Sequence, residues 1–251
     1  MHETGPFDDR LYADPALVDF YDLDNGWRAD FDFCATLAAG AGSVLDLGCG
    51  TGELAAALAP GRHVAGVDPA AAMLEAARRR PGGERVRWIE ADARTVRLGH
   101  RFDRVILTGH AFQVFLTTAD QRAVLRTIAE HLAPDGRFVF DSRNPQARAW
   151  LEWVPGESHR RLDHPALGPV EAWNDAVHDA ATGIVTYETH YRLLRDGRHL
   201  CAASRIRFTP QADLAALLDE AGLVVETWLG DWHGGACGPS SPDFIPIGRR
   251  R

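Results

Sequence analysis

The stretch Val44-Leu45-Asp46-Leu47-Gly48-Cys49-Gly50-Thr51-Gly52-Glu53-Leu54 constrains this chain more than any other. It reads as an apolar strand, a glycine-rich turn and the start of a helix. Glycine lacks Cβ, so such a turn bends tightly and lets backbone approach a ligand closely. The helix that follows offers free N–H groups to a carboxylate or phosphate. A turn of this kind belongs in an α/β fold, where it sits at the carboxyl end of a parallel strand.

The surrounding pattern agrees. From residue 43 to about 145, short apolar runs alternate with helical stretches, as parallel βα units do. The runs are Val44–Leu47, His63–Val67, Val86–Glu90, Arg104–Leu107 and Arg137–Phe140. Asp68-Pro69 reads as a helix cap with a first-turn proline, and Pro81-Gly82-Gly83 as a stop. Thr118-x-x-Gln121 reads as a capping box for a helix bearing Val124, Leu125, Ile128 and Leu132 on one face. Residues 1–38 read as helical and acidic, with aspartates from Asp8 to Asp32 among aromatics from Phe7 to Phe33.

The period changes after Asn144. Residues 168–208 alternate with a period of two, with hairpin turns at Asp179–Gly183 and Asp196-Gly197. Val185, Tyr187, Tyr191 and Leu193 share one face; Glu188, His190 and Arg192 share the other. A helix follows, read with Thr209 as cap, Pro210 first and Gly222 as stop. Leu223–Leu229 and Asp243–Gly248 read as closing strands. The expected organisation is therefore a helical lid over 1–42, a core over 43–145, an antiparallel insertion over 146–208, and a final helix and strands over 209–251.

Composition removes several function classes. The formal net charge is -8, which opposes binding to nucleic acid or an anionic membrane surface. All 27 basic residues are arginine, as a GC-rich bacterial genome favours, so no Schiff-base lysine or P-loop lysine exists. Cys34, Cys49, Cys201 and Cys237 lie far apart and read as reduced thiols. No cluster of His, Cys and Asp has ligand spacing, so no metal is expected. Met1–Thr4 carries no basic or apolar leader and no run approaches a membrane span, so a cytoplasmic protein is expected. A homodimer is compatible with these features.

Spacing turns the glycine loop into a specific expectation. Asp68 closes the second apolar run, where a carboxylate accepts hydrogen bonds from two ribose hydroxyls. Asp92 follows the third run in Glu90-Ala91-Asp92-Ala93, in position to take an adenine amino proton. Asp46 reads as support for the loop. A nicotinamide-binding turn would instead need glycine where Glu53 stands, and would give Asp46 and Asp92 no role.

The glycine turn, with Asp68 and Asp92-Ala93, resembles the motifs of class I S-adenosylmethionine-dependent methyltransferases. The likeness covers about residues 40–145, with a looser echo over 209–250. It implies a Rossmann-like, seven-stranded, mostly parallel sheet flanked by helices, with S-adenosyl-L-methionine as cofactor and S-adenosyl-L-homocysteine as product. It implies that Gly48, Cys49 and Gly50 line the methionine end, that Asp68 beside Pro69 binds the ribose, and that Met73 packs on adenine. Asp92 and Ala93 would read the adenine edge, and Thr108 would lie at the cofactor. In the family the last strand runs antiparallel inside the sheet. Here it contains Pro246, which removes a ladder donor and predicts a bulge or a changed register.

The methyl acceptor belongs beside the glycine loop, near Leu107-Thr108-Gly109-His110-Ala111-Phe112-Gln113. This segment lacks the Asn/Asp-Pro-Pro-Tyr/Phe motif of enzymes that methylate base amines. It is similar to the segment in glycine and amino-sugar N-methyltransferases, which implies an amine, or a hydroxyl, of a small metabolite. His110 is the candidate acceptor contact or general base, since histidine titrates in a useful range. Tyr12 and Tyr21 are candidates to cover the sulfonium, because aromatic faces attract cations. Gln113, His190, Arg205, Trp232 and His233 are weaker candidates for acceptor contact. Two other readings stand beside this one: a cyclisation or elimination using the same pocket, or a silent binding subunit.

Overall fold

The apolar runs pair side by side. In the structure, a computed structural model that describes residues 9–251, β1 (Ser43–Leu47), β2 (His63–Asp68), β3 (Val86–Glu90), β4 (Phe102–Leu107) and β5 (Leu132–Phe140) form a parallel sheet. β11 (Leu223–Leu229) and β12 (Asp243–Arg250) complete it in the order β11-β12-β5-β4-β1-β2-β3, with β12 antiparallel to both neighbours. β1 lies between β2 and β4, so its glycine turn leaves the sheet from the middle of its carboxyl edge. Phe7, Asp8 and Met1–Thr4 lie outside the described residues.

Pro246 has the expected consequence. β12 pairs with β5 through Ile247–Arg249, then with the two-residue β6 (Ser142–Arg143) through Asp243 and Phe244. Ile245 and Pro246 have no registered partner on that side, and the β11 side carries an irregularity between Val225 and Thr227. The ladder is interrupted where proline cannot donate.

Both faces of the sheet are covered, and strand periodicity sorts the residues. Leu45, Leu47, Val67, Val105, Phe138 and Phe140 pack towards α6 (Thr118–His131) and α8 (Gln211–Glu220). Val44, Val64, Ile106 and Val139 pack the other way, against Cys34 of α3 (Ala29–Leu37) and Leu54 and Leu58 of α4 (Glu53–Leu58). α5 (Ala71–Arg79) follows β2.

Three helix starts differ from the sequence expectation. The box on α6 is Thr117 with Asp120: the threonine hydroxyl accepts from Asp120 N at 3.0 Å and donates to Asp120 Oδ2 at 2.7 Å. Gln121 is buried and donates instead to Thr209 Oγ1 at 2.8 Å, so its amide is unavailable for capping. α8 begins one residue late, with Pro210 as its N-cap. Asp68 accepts from Ala70 N at 2.9 Å, and both Asp68 and Pro69 precede α5.

A second sheet lies outside the first. β7 (Arg160–His164), β8 (Gly168–Asp179), β9 (Ile184–Leu193) and β10 (His199–Arg207) are antiparallel in the order β10-β9-β8-β7. The alternation expected over 168–208 holds; β7 was not foreseen, because Leu162 is its one aliphatic residue. Val170, Ala172, Tyr191 and Leu193 pack on Leu11 of α1 (Arg10–Ala13) and on Leu17 and Phe20 of α2 (Pro15–Asn25). The opposite side of α2 places Val18 on Ala70 and Met73. α2 thus bridges the two sheets. No helix among the described residues is long and apolar enough to cross a membrane.

Candidate functional site

A cleft of about 450 Å³ opens between the carboxyl edge of the parallel sheet, the N-terminal helices and the second sheet. Its floor is the glycine turn. Gly48 and Cys49 donate their N–H groups to Val67 O at 2.7 and 3.1 Å, which hangs the turn on β2. Asp68 accepts from Gly50 N at 2.9 Å and from Ala70 N at 2.9 Å, one through each carboxylate oxygen. Gly52 has φ +76°, and a Cβ there would lie 2.4 Å from the Trp88 ring and 2.8 Å from Ala77 Cβ. Only glycine fits this position.

Pro69, Met73, Asp92, Ala93 and Thr108 line the cleft with Gly48, Gly50 and Asp68. Cys49 contributes backbone, since its sulfur faces Gly66 inside the sheet, 3.0 Å from where a Cβ would be. Asp46 is buried below the turn; burial, then the Asp68 charge, push its carboxyl up to about 7. Burial raises Asp68 to about 6, against the lowering effect of its two backbone donors. Burial also acts to raise Asp92, but Arg94 outweighs it and holds the carboxyl below its ordinary value. Both Asp92 oxygens accept from Arg94, so an adenine amino group there would share an oxygen already in use.

Two tyrosines cover the turn. A Cβ on Gly50 would sit 3.8 Å from the Tyr21 ring. Tyr12 meets Tyr21 edge to face at 6.2 Å, and its hydroxyl lies 3.0 Å from that of Tyr187. Burial pushes the phenols of Tyr12 and Tyr21 up, so both stay neutral.

His110 also lines the cleft, held at φ +60°. Its backbone N–H donates to Asp141 Oδ1 at 2.9 Å. Its Nε2 is 3.0 Å from Asp243 Oδ1 and 3.5 Å from Asp141 Oδ2. Burial raises the Asp141 carboxyl, and the His110 charge opposes that rise. Two carboxylates behind one imidazole fix its orientation and stabilise the cation formed when it accepts a proton. With the Nε2 proton directed at Asp243, Nδ1 is the basic nitrogen.

The far end of the cleft is lined by Asp24, Arg143, Trp153, Arg160, Asn174, Tyr187 and Tyr191. Its two arginines differ. Arg160 pairs with Asp24 and donates to Asn174 Oδ1 at 3.0 Å, while the Tyr191 hydroxyl donates to Asp24 at 3.0 Å. Arg143 donates to Gln113 Oε1 at 3.0 Å and lies 4.9 Å above the Trp153 ring. No carboxylate among the described residues lies within ion-pair distance of Arg143. Burial draws its guanidinium below the ordinary arginine value.

Several sequence candidates lie elsewhere. Gln113 is buried off the cleft and reaches it through Arg143. His190 and Arg205 project from the outer face of the second sheet, because strand alternation turns them away from Tyr191 and Ser204. Trp232 packs on Phe33 and donates to Asp141 Oδ2 at 3.4 Å, outside the cleft lining. His233 is exposed. The expectation of no ligand cluster also needs correcting: strand pairing gathers Glu188, His190 and Cys201, with ligand atoms within 4.8 Å of one another. Linear spacing hides that cluster. Asp141, Arg143, Arg160 and Asp243 are likewise brought to the cleft only by folding, and no sequence motif marks them. The even spacing of Tyr187, Thr189 and Tyr191 was the one available signal for the far wall.

Residues 44–136 match the family described as a methyltransferase domain. Cypemycin N-terminal methyltransferase from Streptomyces sp is 35% identical over 104 residues, which is 41% of this chain and 42% of that protein's length. A dTDP-3-amino-3,4,6-trideoxy-alpha-D-glucopyranose N,N-dimethyltransferase from Streptomyces venezuelae is 29% identical over 74% of this chain and 77% of its own. The solved CcbJ methyltransferase from Streptomyces caelestis superposes with a TM-score of 0.80 at 24% identity, over 97% of this chain and 99% of that one. These relatives are methyltransferases and lend no support to the cyclisation, elimination or silent-subunit readings. Residues 44–136 thus carry a methyltransferase domain, and the chain as a whole shares the fold of solved methyltransferases.

Proposed function

We infer that the protein methylates an amine, or a hydroxyl, of a small metabolite that also carries an anionic group. One observation carries this reading: the glycine turn and a guanidinium without a carboxylate partner open into the same cleft. An arginine in that state suits a carboxylate or phosphate, which it can bind through two parallel hydrogen bonds. The amino-sugar relative is named for a nucleotide-linked amine, which favours nitrogen as the acceptor atom.

When bound, S-adenosyl-L-methionine would supply an electrophilic methyl carbon, with S-adenosyl-L-homocysteine as the product. The cleft fits it at the glycine turn, where Gly48, Cys49 and Gly50 present backbone without side-chain bulk. Asp68 would hold the ribose hydroxyls, Pro69 and Met73 would flank the adenine, and Asp92 and Ala93 would meet its edge. Asp46 holds the turn from below, and Thr108 bounds the cofactor end. Tyr12 and Tyr21 exclude water and offer aromatic faces to the positive charge. Methyl transfer is an in-line displacement, so alignment dominates and a base is needed only to free the acceptor's lone pair. His110 takes that proton, with Asp141 and Asp243 stabilising the imidazolium. Residues up to 42 act as a lid over the 43–145 core, residues 146–208 shape the acceptor chamber, and residues 209–251 close the sheet. The acidic charge fits a cytoplasmic role without nucleic acid or membrane partners.

The test pairs calorimetry with product analysis. The protein should bind S-adenosyl-L-methionine and not NAD, and should move a labelled methyl group onto an amino sugar or amino acid in a metabolite extract. Tight cofactor binding with no labelled product from any amine or hydroxyl would defeat the proposal.

A further inference from the structure

The outer face of the second sheet, turned away from the cleft, carries a group of side chains that methyl transfer does not use. Cys201 of β10 lies directly opposite His190 of β9, and Glu188 is two residues before His190 on the same face. His190 Nε2 is 3.4 Å from a Glu188 carboxylate oxygen and 3.9 Å from Cys201 Sγ. Zinc takes nitrogen and oxygen at about 2.0 Å and sulfur at about 2.3 Å, so tetrahedral angles separate N from O by about 3.3 Å and N from S by about 3.6 Å. The nitrogen-to-oxygen and nitrogen-to-sulfur separations therefore stand near ligand values, and all three ligand atoms lie within 4.8 Å of one another.

The remaining ring nitrogen of His190 strengthens the case. Nδ1 is 3.1 Å from His199 Nε2. If His190 donates there, its Nε2 carries a lone pair aimed at Glu188 and Cys201, the arrangement that orients metal-bound imidazoles. Trp173 stacks on His190 at 5.0 Å and on His199 at 5.4 Å, nearly parallel to both, and so sets the ring planes. The neighbouring cations are compensated, Arg192 by Glu171 and Arg10 by Asp14.

We propose that this face holds a zinc ion through Glu188, His190 Nε2 and Cys201, with His199 positioning His190 and water in the fourth place. Cys201 binds as thiolate and gives its proton to solvent. The ion ties β9 to β10 and takes no part in the cleft.

The full-length protein, stripped with a chelator, should bind one equivalent of zinc in competition with a chromophoric chelator. Cobalt in its place should give a thiolate-to-metal charge-transfer absorption. Cys201→Ser should abolish that absorption, His190→Gln should weaken zinc binding at least about 100-fold, and His199→Ala about 10- to 100-fold. S-adenosyl-L-methionine affinity, unchanged in all three, reports that they are folded. Failure of the wild-type protein to bind a stoichiometric ion overturns the proposal, as does a cobalt thiolate band that survives in Cys201→Ser.

Discussion

The two ends of the cleft are made differently. The glycine-turn end is built mainly of backbone where β1, β2 and β3 end: Gly48 and Cys49 N–H donate to Val67 O, Ala91 N–H donates to Asp68 O, and the Asp68 carboxylate accepts from Gly50 N–H. The second-sheet end is side chain: Asp24, Arg143, Arg160, Asn174 and Tyr191 come from five elements. A Cβ at Gly48 or Gly52 of this turn would meet a neighbour at 3.0 or 2.4 Å, whereas a surface of side chains changes its preference with each substitution. One end is suited to a constant ligand and the other to a variable one.

The sharpest way to break this contrast is to add one carbon to the floor. Gly52→Ala combines a left-handed backbone with a clash against Trp88, and should cost about 2–4 kcal/mol in urea unfolding. Wild-type stability would mean the floor has slack. His110 stands where the ends meet, so His110→Ala should lower kcat about 100-fold while leaving cofactor Kd and acceptor KM in place. Unchanged turnover would remove it as a base.

Crossing the ends tests their independence. Asp68→Ala should weaken S-adenosyl-L-methionine binding about 10- to 100-fold, whereas Arg143→Met should leave that Kd alone and cut kcat/KM for the acceptor by a similar factor. If either variant moved the other's parameter equally, the division would fail. A pH-dependent effect concerns Asp46, whose folded pKa is raised from 3.8 to about 7 by burial and Asp68. The folded state then binds this proton more tightly than the unfolded one, so the stability it contributes is present below pH about 4 and lost as pH rises to about 7. Asp46→Asn should therefore stabilise the free protein at pH 8, by up to about 4 kcal/mol, and hardly at all at pH 4. An equal gain at both values would discount the carboxyl.

The same contrast explains what could be read from the chain beforehand. Asp68, Asp92 and the turn are recognisable because strand, turn and helix follow one another locally, and the likeness to a known family rests on that order. Arg143 and Asp243 gain meaning only when β6 and β12 pair, a contact between segments far apart in sequence. His190 reads as a weak acceptor candidate reaching the pocket from the sheet, although the alternation that places Tyr191 inward points its neighbour outward. Thr117 and Asp120 took the cap from Thr118 and Gln121 because tertiary packing claimed the glutamine.

Neighbouring aspartates on α2 face in two directions. Asp22 accepts from Thr51 Oγ1 and pairs with Arg80, both on the parallel-sheet side, while Asp24 pairs with Arg160 and accepts from Tyr191 on the other. One helical turn is thus moored to both banks of the cleft. Lifting α2 from either bank therefore breaks an ion pair, Asp22 with Arg80 on one side and Asp24 with Arg160 on the other.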